Sequence, residues 1–159
     1  MKKTGLFSIL LTLAASSAFA DMSYHCTMTD AGNLSYKVLE YHVDFTHSFL
    51  SKNKVSFSVL NLAGNSATTI LSGIKIVNSP TLTAGPKWSE KQNYDYSEQK
   101  FLKIQDQETN TIIGESNTVY LSEALLNGEA QAVAVYEHDV ANFISYNNEF
   151  TDLACTRVK

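Results

Sequence analysis

The chain has 159 residues, 12 basic and 16 acidic side chains, and a net charge of −4 at pH 7. Its single arginine is Arg157 and it has no basic run, which leaves no positive footprint for nucleic acid or anionic lipid. Its two cysteines lack a C-x-x-C spacing, which excludes a dithiol redox motif.

Residues 1–20 read as a secretory signal. Lys2 and Lys3 form the positive start, Leu6 to Ala15 is apolar, and Ala18-Phe19-Ala20 is a small-x-small cleavage site. The apolar run is shorter than the roughly 20 residues that span a bilayer. Cleavage makes Asp21 the first mature residue and shifts the net charge to −6. Residues 21–159 suit one domain with one core. The expected location is periplasmic or extracellular. There Cys26 and Cys155 are expected to pair. Closing so long a loop stabilises by about 5 kcal/mol in the chain-entropy model.

Taken in chain order, Ser23 to Thr29 is the first strand. Asp30 to Asn33 is a turn sequence, and Leu34 to Phe45 is a long strand whose apolar phase switches near Val38-Leu39. Val55-Ser-Phe57-Ser-Val59 alternates cleanly, Ala63 to Ser66 turns, and Thr68 to Val77 is β-branched with a bend at Gly73. In that strand Ile70, Ser72, Ile74 and Ile76 are expected on one side. Residues 78–99 hold both prolines, Trp88, Tyr94 and Tyr96 without a clear period, as functional loops do. Lys100 to Gln105 and Thr109 to Gly114 read as a hairpin, followed by a strand over Thr118 to Leu121. Ser122 to Gly128 has a helix cap, an acid in the first turn and a glycine stop. Gln131 to His138 is a strand. Asn142 to Tyr146 and Phe150 to Arg157 read as strands joined by a turn at Asn147-Asn148-Glu149. The fold expected is all-β: one antiparallel β-barrel or β-sandwich of about 8–10 short strands, with one short helix near 122–127 and disulfide-linked first and last strands.

Catalytic signatures are missing. The chain has no G-x-S-x-G elbow, phosphate-binding glycine loop, H-E-x-x-H or EF-hand spacing, so no catalytic residue and no cofactor is assigned. Carboxylate pairs such as Glu137/Asp139 read as solvated. His42, Asp44 and His47 form the one arrangement that suits a metal-dependent enzyme or hydrolase, because His42 and Asp44 share a strand face and His47 follows in a loop. Trp88, Tyr94 and Tyr96 are the candidate binding residues, since aromatics with a polar edge suit a glycan or protein surface. A disulfide-tied exported β-domain of this size resembles, in architecture alone, the small-barrel periplasmic lysozyme inhibitors. Their Ser-Gly-x-x-Tyr loop does not occur here, so no residue is carried over. The expectation is an exported, non-enzymatic β-domain that binds a protein, a glycan or a small apolar ligand, with the 78–99 loop as its contact surface. A structural envelope protein without a soluble ligand is the remaining alternative.

Overall fold

The computed structural model describes residues 21–29, 39–47, 53–77, 79–86, 95–106, 114–141 and 144–159. They form nine strands and one helical turn: β1 (Met22–Met28), β2 (Leu39–Thr46), β3 (Asn53–Asn61), β4 (Ser66–Ile76), β5 (Thr83–Ala84), β6 (Lys100–Gln105), β7 (Gly114–Ser122), α1 (Glu123–Leu126), β8 (Gln131–Ala141) and β9 (Tyr146–Arg157). All belong to one antiparallel sheet, ordered β4-β3-β2-β1-β9-β8-β7-β6-β5. Among the described residues no helix is long and apolar enough to cross a membrane.

The two ends of the chain therefore meet in the middle of the sheet. Cys26 and Cys155 face each other in the β1–β9 ladder, are fully buried and are disulfide-bonded, with their Cα atoms 4.0 Å apart. Two meanders run outward from that ladder, one through β2 and β3 to β4 and the other through β8 and β7 to β6 and β5. The edges of the sheet are thus mid-chain strands, not the terminal ones.

Alternation sets the inner face. Tyr24 and Cys26 of β1, Tyr41, Val43 and Phe45 of β2, and Val55 and Phe57 of β3 are all buried. They join Val119, Leu121, Ala134 and Leu153 of the other meander in one core. The sheet curls enough for Tyr136 of β8 to touch Phe57 and Tyr41, at 5.3 and 6.2 Å between ring centres. α1 closes one end of this core. Ser122 Oγ accepts from the N–H of Leu125, Gly128 at φ +76° ends the turn, and Leu125 and Leu126 point inward.

Two expected features differ, and a third lies partly outside the described residues. β4 buries Leu71 and Ile76, not one alternating set through Ile70 and Ser72, because its register against β3 shifts at two places around Phe57. Gly73, at φ +57°, sits in that irregularity and donates its N–H to Ser56 Oγ. The expected strand over 109–113 lies outside the described residues, and the pairing seen for β6 is with Thr118 to Ser122, which supply Val119 and Leu121 opposite Ile104 and Leu102. The last turn lies before Tyr146, not at 147–149. Asn147, Asn148 and Glu149 pair with Val140, Asp139 and His138 in the longest strand of the sheet. There Asn148 Nδ2 donates to Glu137 Oε1, a side-chain bond across the β8–β9 ladder.

A second, smaller core lies on the other face of β6 to β9. Phe101, Tyr120 and Val135 are covered there by Tyr96. Gly85 permits this closure. A Cβ at this position would come within 2.5 Å of the Tyr96 carbonyl oxygen and 2.6 Å of the Phe101 ring, while the Gly85 N–H donates to the Gln99 carbonyl. Gly85→Ala is expected to destabilise by about 1–3 kcal/mol through overpacking. A urea melt read by tyrosine fluorescence checks this; an unchanged midpoint would mean that the 95–101 segment is not seated as described.

Candidate functional site

Strands β1 and β2 carry a small polar cluster on the outer face. Because Tyr24 and Cys26 turn inward, His25 turns outward. Because Tyr41 and Val43 turn inward, Glu40 and His42 turn outward. The register places His25 directly opposite His42, with rings stacked at 5.3 Å between centres and 23° between planes. Glu40 lies diagonally across, its Oε2 2.9 Å from His25 Nε2. That pair is close but out of line for an N–H donor, so Nε2 of His25 and Nε2 of His42 are both buried atoms without a hydrogen bond. One ligand atom from each of His25, Glu40 and His42 lies within 4.8 Å of the others. Thr156 and Ser58 flank the histidine pair in the same cross-strand row.

The structure thus splits the expected His42, Asp44 and His47 set. Asp44 shares the outer face of β2, opposite Ser23, but is not part of the cluster. His47 lies just past the end of β2 and is exposed. Its Nδ1 meets Asn53 Oδ1 at 3.0 Å and its backbone N–H donates to the Asp21 carboxylate at 2.8 Å. His42 keeps its place, but its partners come from the neighbouring strand and from two residues back along its own. His138 belongs elsewhere. It is on β8, stacked on Tyr136 and 3.8 Å from Glu115, with β9 between its strand and that of His25.

Of the aromatic candidates, Trp88 and Tyr94 lie outside the described residues. Tyr96 is only 8% exposed, edge-on to Phe101, and its hydroxyl donates to Asp152 Oδ1. It anchors its segment on the sheet and offers little contact surface. Similar pairings recur along this face: Tyr120 donates to Glu137 and Tyr146 to Asp139. Glu137 and Asp139 therefore sit within β8 as acceptors of neutral donors, not in a solvated turn.

Burial raises the phenols of Tyr120 and Tyr136. Tyr136 is pushed up to about 12 by desolvation and by the charges of Tyr41 and Glu115. Tyr120 rises further still, from burial first and then from its bond to Glu137 and the charges of Glu137 and Asp139.

The remaining feature is the gap between β4 and the part of β6 beyond its short pairing with β5. Residues 74–77 of the β4 arm and 102–105 of β6 line one slot of about 300 Å³, with Pro80 and Thr81 at its mouth. Ile74, Ile76, Leu102 and Ile104 give it an apolar lining, and exposed Lys75 and Lys103 line it too, the Lys103 ammonium lying 5.6 Å from the centre of the Tyr120 ring. A larger and more open groove of about 450 Å³ lies beside α1, where Glu98, Gln99, Lys100, Glu123 and Gln131 flank Ala124, Ala132 and Val133.

The chain matches no known protein family, curated protein or solved structure.

Proposed function

We propose that this is an exported, non-enzymatic β-barrel domain that binds a small apolar molecule with an anionic head in the slot between β4 and β6. The carrying observation is that slot, with its apolar lining and its two lysines. Pockets near 300 Å³ with apolar walls and a few placed polar groups are of ligand size. Export rests on residues 1–20 and on a disulfide, which persists where thiols oxidise. A barrel reading, with closure at this seam, draws support from the curl that brings β8 against β2 and β3 and β4 toward β6. A barrel of about eight strands is just wide enough for side chains to fill. Tyr24, Phe45, Phe57, Leu121 and Leu153 occupy the interior here, so a ligand is better accommodated at the seam. The 78–99 segment contributes through Pro80 and Thr81.

Titration with dansyl-undecanoate tests the reading. Saturable binding is expected, with affinity reduced about tenfold by Lys75→Glu with Lys103→Glu, a loss of about 1.4 kcal/mol of head-group attraction. Thr81→Trp, from an exposed position, is expected to fill the slot and abolish binding. Binding untouched by both changes would remove the slot as the site.

A further inference from the structure

We infer that His25, Glu40 and His42 form a binding site for a first-row divalent transition-metal ion, of which zinc is the type case, on the outer face of the β1–β2 ladder. This site is independent of the slot between β4 and β6. The residue types are those of a His₂-carboxylate zinc set, three protein ligands with a fourth position left for water or an outside donor. Imidazole with carboxylate favours zinc, copper or nickel over calcium or magnesium, which prefer all-oxygen shells.

Three features separate this cluster from an ordinary surface ion pair. The first is the pair of shielded imidazole Nε2 atoms: that of His42 has no hydrogen bond, and that of His25 has only the misaligned contact with Glu40. A buried polar atom left unpaired is unfavourable, and a cation shared by both rings and the carboxylate relieves His42 and keeps the charge of Glu40 compensated. The second is convergence. The donor atoms lie within 4.8 Å of one another, and two donors on one tetrahedral zinc sit about 3.3 Å apart, within side-chain adjustment of the spacing seen. The third is the backbone. His25 and His42 are register partners in a ladder held on its far side by the Cys26–Cys155 bond, so the backbone fixes two of the three ligands side by side and only ring rotation is needed to turn both onto one ion. The exposure of His25 and Glu40 side chains, 34% and 26%, leaves an approach from solvent for the ion.

The test uses the untagged, disulfide-bonded protein and zinc chloride in calorimetry, with cobalt(II) as a spectroscopic stand-in. One equivalent is expected to bind, and cobalt is expected to show the visible bands of a tetrahedral site. His42→Ala and His25→Ala are expected to weaken zinc binding at least about a hundredfold, the share of one ligand in a structural zinc site. Glu40→Gln, nearly isosteric, is expected to weaken it less. His47→Ala and His138→Ala should leave it unchanged. A readout on the unmutated protein guards against variants that fail to fold: zinc should protect His25 and His42, but not His138, from diethylpyrocarbonate. Absence of stoichiometric binding, loss of binding on His47→Ala, or equal protection of all four histidines would overturn the assignment.

Discussion

Replacing Cys26 and Cys155 together by alanine is expected to lower the unfolding free energy by about 4 kcal/mol. The sequence separation of 129 spans most of the 159-residue chain, and the loop-closure entropy removed from the unfolded state grows with loop length. Both sulfurs lie in the core, so alanine also removes buried volume. For a domain of this size the loss corresponds to about 10–20 °C in Tm. The urea m-value should rise at the same time, because an unfolded chain freed of its cross-link exposes more surface. Paired urea and thermal melts of the disulfide-bonded protein and the double variant decide it. Coincident midpoints would show that the β1–β9 ladder holds without the bond.

Raising the pH above 10 is expected to unfold the protein progressively. An ordinary tyrosine ionises near pH 10, and so does every tyrosine of the unfolded chain. Desolvation raises Tyr24, Tyr41, Tyr120 and Tyr136 in the folded state, Tyr136 to about 12. Above pH 10 the unfolded chain therefore binds fewer protons than the folded one, and stability falls with each further unit of pH. The stabilising contribution is complete below pH 10 and for Tyr136 is exhausted near pH 12. Each such tyrosine contributes at most about 1.4 kcal/mol per pH unit, and partial solvent access at Tyr120 and Tyr136 reduces that. A total loss on the order of 3 kcal/mol between pH 10 and 12 is expected. Urea midpoints across this range, with phenolate absorbance recorded alongside, measure it. Tyr136→Phe should flatten the slope, and a midpoint level from pH 9 to 12 would contradict the burial described.

Local pattern carried much of the fold. Val55 to Val59 alternates because one face of β3 is buried, and Lys100 to Gln105 coincides with β6. Ser122 and Gly128 bracket α1 because cap chemistry is local. The misreadings came from pairing. Asn147 and Asn148 have turn composition, yet ladder bonds with β8 hold them extended. The phase of β4 depends on an irregularity opposite Phe57, which only its partner strand reveals.

The polar cluster was half legible for the same reason. The residues two and five places along from His42 are visible in a linear reading, so Asp44 and His47 were drawn to it. The stacked partner, His25, comes from another strand. Glu40 is two residues before His42 and shares its face, but nothing local marks it out. Combining the outward phase of β1 with the outward phase of β2 in a hairpin pairing is the signal that would have brought the three together.

The central position of the terminal strands has a temporal consequence. β1 leads the chain, yet one of its two neighbours in the sheet is the very last strand. While the chain is being synthesised, that edge of β1 stays open until β9 has been made. Closing the β1–β9 ladder is therefore slow in the manner of topologies dominated by distant contacts. A nascent chain stopped before β9 would display two half-sheets with their apolar faces uncovered, the state that a chaperone would hold.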